Sequence, residues 1–309
     1  MRYPHFILCL LTGTAALFAQ AHFTQESAIR IDVAGKPFAT FHYGETAAKP
    51  FLAPLRSASG KVVTRRFPMD TVEGESRDHL HHRGLWFTYD DVNGVKFWEN
   101  DPSYDKKPNK GRVVVKSATF DDKTSTLHAV MEWRDPAGKP LLIEDRKMVF
   151  SGDDKLRMID FHISLAAATN VTLGDTKEGA FAIRLAEEFT AKRGGQMVNA
   201  DGLTTMKQVW GKKSNWVDYS AQLQGEQLGV AIFDHPSNPG FPTRWHARDY
   251  GLFSLNPFGQ KGFDEDQPAY SKKLATGEKI NFKWRVVIHP GDAATGNVAA
   301  LYKEFAASK

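Results

Sequence analysis

"INFKWRVVIH", residues 280–289, sets Ile280, Phe282, Trp284, Val286 and Ile288 against Asn281, Lys283, Arg285 and His289. A period of two over ten residues is what a β-strand with one buried face requires, because successive side chains point to opposite sides. "LRMIDFHISL", residues 156–165, repeats the pattern, with Ile159, Phe161, Ile163 and Leu165 opposite Met158, Asp160, His162 and Ser164. Less regular strand candidates begin at Arg112, Thr126, Leu141, Leu228 and Tyr250. Turn formers stand between them at Asp121-Asp122, Asp135-Pro136-Ala137-Gly138 and Ser151-Gly152-Asp153-Asp154, spaced for short antiparallel connections. Strands joined in this way build meanders and sandwiches, not parallel α/β sheets. After Gly296-Asn297, residues Val298, Leu301, Tyr302 and Phe305 form an apolar helical stripe. The expected fold is all-β: a single large antiparallel β-sandwich over residues 22–309 with a C-terminal α-helix packed on its outside.

The first 21 residues, "MRYPHFILCLLTGTAALFAQA", read as a cleaved secretory signal, with a short basic start, an apolar run from Phe6 to Phe18 and a small-x-small ending. The run is short of the roughly 20 residues that cross a bilayer. Cys9, the only cysteine, leaves with this segment, so the mature chain is expected to lack both a disulfide framework and a thiolate nucleophile. No later stretch is apolar for long enough to span a membrane, and an exported protein, periplasmic or extracellular, is expected. A formal charge of +4 from 40 basic and 36 acidic residues, with no basic block, argues against a nucleic-acid partner.

Three stretches concentrate chemistry. "RDHLHHRGLWF", residues 77–87, places three histidines beside Arg77 and Arg83. If a strand begins near His79, then His79 and His81 share one face, where two imidazoles can hold one divalent metal or one substrate, while Leu80 and His82 take the other. A metal would need a third ligand that is not local; the structural alternative is histidines that tether a loop. "GDTKEGAFAIRLAEE", residues 174–188, puts Asp175, Lys177 and Glu178 ahead of an apolar alternation carrying Arg184, either as a carboxylate beside a lysine that serves as general base, metal ligand or sugar-hydroxyl acceptor, or as an ordinary solvated turn. "FDHPSNPGFPTRWHARDYGLFSLNPFG", residues 233–259, reads as a stiffened irregular loop with prolines at 236, 239, 242 and 257, displaying His235, Trp245, His246 and Arg248.

Together with "DVNGVKFW", residues 91–98, these stretches resemble the PmoA-like family of exported bacterial proteins across nearly all of the mature chain. The resemblance implies recurrent polar positions at His79, His81, His82, Arg83, Asp175, Lys177, Glu178, Arg184, Asp234, His235, Trp245, His246, Arg248 and Asn256, and a setting among carbohydrate-degradation genes. The membrane methane oxygenase to which that family name alludes is built of transmembrane helices; a strand-rich chain is not expected to share its activity.

A sugar-processing site needs a proton donor, a proton acceptor, groups that grip hydroxyls and an aromatic face. His79, His81, His82, His246 and Glu178 are the candidate catalytic groups. Arg83, Asp175, Lys177, Arg184, His235, Arg248 and Asn256 are candidates for substrate binding, with Trp86 or Trp245 as platforms. The chain has no nucleophile-elbow serine, phosphate loop or dinucleotide fingerprint, so neither a nucleotide nor a flavin is expected. The leading expectation is an exported enzyme acting on a carbohydrate or derivative by hydrolysis, elimination or epimerisation, with a divalent metal at His79 and His81 as a variant. A mutarotase-like supersandwich would be a natural scaffold. The alternatives are a non-catalytic glycan-binding module and a structural envelope protein. In the enzyme reading, His79, His81, Glu178 and His246 line one cleft, with a small-molecule or oligosaccharide ligand.

Overall fold

The computed structural model describes residues 27–44, 47–101 and 109–308; the expected leader and Cys9 lie outside the described residues. Two antiparallel sheets pack face to face. One runs β1 (Ala28–Val33), β2 (Lys36–His42), β3 (Phe51–Leu52), β4 (Leu85–Tyr89), β10 (Gly179–Arg184), β15 (Leu252–Asn256) and β14 (Arg244–Ala247). The other runs β11 (Gln196–Asn199), β12 (Trp216–Leu223), β13 (Glu226–Asp234), β17 (Lys279–Pro290), β8 (Arg157–Ala167), β7 (Pro140–Gly152), β6 (Thr126–Arg134) and β5 (Arg112–Asp121). A small ribbon pairs β9 (Val171–Leu173) with β16 (Lys272–Leu274). The expected antiparallel β-sandwich is therefore observed. Among the described residues no helix is long and apolar enough to cross a membrane.

Strand β17 lies between β13 and β8 in the eight-stranded sheet, where its alternation decides the core. Ile280, Phe282, Trp284, Val286 and Ile288 all turn inward and are buried. Trp284 stacks on Phe181 of the facing sheet at 4.9 Å and meets Phe87 at 5.4 Å, while Phe161 meets Phe181 edge-on at 4.7 Å. These aromatic contacts join the two sheets, and each large ring removed from water contributes on the order of 1.5–3 kcal/mol.

The alternation of β17 stops at Val287 and His289, which are buried although they lie on the outer face. The cause is the C-terminal helix, Val298–Ala306, whose Val298 and Phe305 pack with Val287, Phe233 and Trp216. The helix predicted from its apolar stripe is thus present and covers this end of the sheet. Arg285 binds Asp160 across the strand pair through Nε at 2.5 Å and a terminal nitrogen at 2.8 Å, and lies 5.0 Å from the Phe305 ring.

Beside that helix a fully buried ion pair joins β12 to β17: His289 Nε2 lies 2.8 Å from Asp218 Oδ2, and His289 Nδ1 lies 3.1 Å from the Pro290 carbonyl. Both ring nitrogens face acceptors, an arrangement that favours the doubly protonated imidazolium, although burial raises the Asp218 carboxyl as well. Burial opposes the charge, but the Asp218 carboxylate and the Pro290 carbonyl raise the His289 pKa above its ordinary value. Removing one partner strands the other charge in the interior at a cost of about 3–5 kcal/mol. A raised histidine pKa stabilises the fold fully below the unfolded value and ceases to do so as pH climbs through the folded one. Denaturant melts of wild type and His289→Gln are expected to differ most near pH 6 and to converge on the alkaline side; a gap that is constant to pH 9 contradicts a charged His289.

Candidate functional site

β4, β10, β15 and β14 lie side by side, and their registers align two rows of side chains. Phe87, Phe181, Leu255 and Trp245 form one row, which is part of the core. Trp86, Ala182, Ser254 and His246 form the next row, which by alternation faces away from the other sheet. Because Ala182 and Ser254 are small, the row is low between Trp86 and His246, about 14 Å apart at three strand spacings; all four residues are buried, so this trough is a covered one.

The histidine stretch arches over the Trp86 end as a turn. The expected strand from His79, with His79 and His81 opposed to His82, is incorrect: His79 adopts φ +43°, outside the extended region, and the His82 amide donates to the His79 carbonyl at 2.9 Å. Strand structure starts only at Leu85, after Gly84 at φ +54°, where a Cβ would lie 2.1 Å from the Leu52 carbonyl oxygen. The turn brings all three imidazoles together. His79 stacks on His82 with centroids 4.6 Å apart, His82 stacks on Trp86 at 5.3 Å, and His81 meets His82 edge-on at 4.4 Å. Tyr250, from the β14–β15 connection, extends the series by stacking on His79 at 5.5 Å.

Arg65, buried and unmarked by any sequence pattern, holds this turn. Its two terminal nitrogens donate to the carbonyls of Asp78, His79 and His82 at 2.9, 2.9 and 3.1 Å and to Asp78 Oδ1 at 2.6 Å. Arg184, on β10, shares Asp78 Oδ1 at 2.9 Å and donates to His82 Nδ1 at 3.3 Å. A guanidinium cannot accept a proton, so His82 Nδ1 carries a lone pair and the ring is neutral with its proton on Nε2.

Burial dominates the electrostatics. It pulls His81 down to about 2, with Lys49 and His79 adding to the effect, and pulls His82 well below the ordinary imidazole value. His246, across the trough, is brought to about 3 by burial and by the charges of Arg248 and Lys177. Its ring bonds to the Lys177 main chain, and Nδ1 has no hydrogen-bond partner among the described residues. Glu178, half-buried at the start of β10, moves the other way: burial, reinforced by Asp90 and Glu99, raises its carboxyl pKa against the pull of Lys177, whose Nζ is 3.7 Å away. The site thus combines neutral imidazoles with a carboxyl inclined to keep its proton, the separation of roles that acid–base chemistry uses.

Other expected site residues have structural work. Asp175 does not face the trough; its carboxylate accepts the amides of Gln260, Lys261, Gly262 and Tyr270 at 3.1, 2.9, 2.8 and 2.6 Å and so ties down that loop. Asn256 staples the same region, accepting from Phe258 and Gly259 and donating to the Thr176 carbonyl. His235 lies under the C-terminal helix, bonding Ser237 and the Ser308 carbonyl and packing on Phe305. Trp245 is wholly buried in the core row with Nε1 on the Ser214 carbonyl, and Asp234 staples Asn238 and Thr243, so neither meets a ligand. Trp86 is 1 % exposed and forms the floor beneath His82, not an open platform. Arg83 pairs with Asp101 at 2.7 Å. The 233–259 segment is not one irregular loop, because β14 and β15 occupy much of it and leave only 235–243, 248–251 and 257–259 outside strands.

The metal variant does not fit. Among the described residues no three His, Cys, Asp or Glu side chains are grouped to hold an ion, and the His79 and His81 rings stand edge to face at 5.7 Å. Residues that sequence reasoning missed are Arg65, Asp78, Tyr250 and Lys49. Lys49 is buried beneath the floor, donating to the Trp98 carbonyl at 2.6 Å and Asn100 Oδ1 at 2.9 Å, and burial lowers its pKa to about 7. His246 is braced from outside as well, since its strand β14 is flanked by residues 211–213: Gly211 donates to the Trp245 carbonyl and Trp245 to the Lys212 carbonyl.

A two-sheet β-sandwich with a histidine-lined trough on the outer face of one sheet is the class of protein that fold and site define. Within that class the chain belongs to a family of unknown function, DUF6807, whose model matches residues 28–303. That match corrects the resemblance to the PmoA-like family, which it does not support. Comparison with curated proteins gives no match. Among solved structures the chain is similar to an alpha-galactosidase from Lactobacillus brevis, with TM-score 0.42 and 8 % identity over 90 % of this chain. It spans 42 % of the galactosidase chain. It is also similar to a galactose mutarotase related enzyme from Lactobacillus acidophilus, with TM-score 0.40 and 9 % identity, covering 85 % of this chain and 97 % of that one. Likeness at this level carries no argument about activity.

The structural role of Asp175 is directly testable. Asp175→Ala removes the acceptor of four backbone amides and is expected to cost about 1.5–3 kcal/mol. Burial raises the carboxyl pKa, but the amide of Tyr270 and those of Gly262, Lys261 and Gln260 outweigh it and hold Asp175 below the usual carboxylate range. Its stabilisation is therefore present above the unfolded pKa and fades as pH falls. Hydrogen exchange should quicken across residues 260–270; unchanged protection there contradicts the assignment.

Proposed function

We propose that the protein is an exported enzyme that acts on a carbohydrate or carbohydrate derivative by acid–base catalysis in this trough. The observation that carries the reading is the opposition, across one covered hollow, of the buried imidazoles of His81 and His246 to Glu178, whose carboxyl pKa burial raises. A second observation supports it. Trp86 Nε1, Trp98 Nε1, Thr88 Oγ1, Arg184 Nε, His246 Nδ1 and Arg248 Nε are buried without a hydrogen-bond partner among the described residues. Buried polar atoms are ordinarily paired, so their concentration here suits a hydroxyl-rich ligand that supplies the partners. A non-catalytic glycan-binding module is less well supported, because it needs an open aromatic face and both Trp86 and Trp245 are covered.

In this reading Glu178 donates a proton to the departing or rearranging oxygen, and an imidazole, that of His246 or of His79, accepts one. Hydrolysis, elimination and epimerisation all draw on that pair.

The test is turnover of a broad glycoside and uronide panel by wild type, Glu178→Gln and His79→Ala, with melting temperature and ligand binding measured alongside. Loss of about 10²–10⁴-fold in turnover is expected with folding and binding retained. Because the acid form of Glu178 is required, kcat/KM should fall as pH rises through its raised pKa, and Glu178→Gln should abolish that limb. The lowered histidines are already deprotonated, so no acidic limb from His81 or His246 is expected above about pH 4. Undiminished turnover in both variants refutes the assignment.

A further inference from the structure

Arg248 differs from the other arginines around the trough. Arg65 and Arg184 share Asp78, and Arg83 takes Asp101. Arg248, half-buried in the β14–β15 connection, makes no ion pair with any described residue, and its Nε is buried and unpartnered. The next residue, Asp249, is exposed and does not pair with it. Glu178 lies 3.7 Å from Lys177 Nζ and makes no pair with the arginine. Arg184 and Arg248 sit against the same Tyr250 ring, at 4.5 and 5.4 Å, and each has an unpartnered Nε. The rim beside the histidine turn therefore carries three guanidinium groups; Asp78 pairs with two of them, Glu75 and Glu187 act on Arg65 and Arg184, and none of these carboxylates pairs with Arg248.

A guanidinium Nε–H withdrawn from water without an acceptor is costly, and proteins rarely leave such a donor unmet unless something else supplies the partner. Resting on the reading of this trough as a carbohydrate site, we propose that its substrate carries a carboxylate, as a uronic acid does, and that Arg248 binds it. Nε together with a terminal nitrogen forms a planar fork that matches the two oxygens of a carboxylate side-on. His246, two residues earlier on β14, then lies near the bound group with its unpartnered Nδ1 available to a neighbouring hydroxyl. The specificity is electrostatic and geometric, and it requires arginine rather than any cation.

The experiment is calorimetric titration of the mature protein at pH 7 with the methyl glycosides of glucuronate and galacturonate, those of glucose and galactose, and galactose 6-sulfate. Wild type is expected to favour each uronate over its neutral counterpart by about ten-fold, or roughly 1.4 kcal/mol. Arg248→Gln should erase that preference while leaving the weaker binding of neutral sugars intact, and Arg248→Lys should recover only part of it. Melting temperatures accompany each variant, and if Arg248→Gln does not fold, Arg248→Lys decides alone: full retention of the uronate preference in it overturns the fork. Equal binding of acidic and neutral sugars, a preference that survives Arg248→Gln, or tighter binding of the sulfate ester overturns this inference and leaves the carbohydrate reading standing. Failure of every sugar to bind a folded wild type overturns both.

Discussion

The two-residue period of a β-strand couples this protein's interior to its site. In β4, β10, β15 and β14 each inward residue commits its neighbour to the opposite face, so the row Phe87, Phe181, Leu255 and Trp245 fixes the row Trp86, Ala182, Ser254 and His246. A one-residue slip in any of these strands would bury a polar row and expose an aromatic one, a cost far above the few kcal/mol by which domains are stable. The distance between the floor of the trough and its far histidine is thus set by the core. Strand β17 anchors that arrangement from the other sheet, because its Trp284 packs on both Phe87 and Phe181.

Above the floor, the histidine turn is a loop under electrostatic restraint. Arg65 and Arg184 together engage the carbonyls of residues 78, 79 and 82 and the Asp78 carboxylate, which replaces the ladder a strand would have supplied. Ring stacking from Tyr250 to Trp86 does the remaining positioning. The consequence is that His81 and His82 are neutral because they are buried, with the exposed His79 stacked against His82, while the turn is held in place by cations that do not titrate near neutrality. Protonation of the cluster is resisted by its neighbours, while Glu178 lies where neighbouring carboxylates oppose its ionisation.

Sequence carried the architecture further than the site. The alternation in residues 280–289 and 156–165, the turn formers between the strands and the stripe Val298, Leu301, Tyr302 and Phe305 were enough for a sandwich with a C-terminal helix. The gathering of histidines was visible too, but its geometry was not, because a single positive φ at His79 converts a strand into a turn and no residue type there announces it. Composition could not separate Asp175 from Glu178, three positions apart: one carboxylate meets four amides from a loop about 90 residues onward, the other does not. Trp245 and His246 are adjacent and equally polar-aromatic in a list, yet strand parity sends one into the core. Arg65, Asp78 and Tyr250 act through partners distant in the chain, which no local pattern encodes.

The short segment 211–213 alongside β14 has an importance beyond bracing His246. An uncovered end of a sheet is a template on which a second molecule can add its own strand, and continued addition leads to fibres and precipitates. Here the main-chain groups of Trp245 on that margin are already engaged by Gly211 and Lys212. Along this margin the sheet therefore offers an incoming strand no free main-chain groups at Trp245, and the edge beside His246 stays closed to strangers.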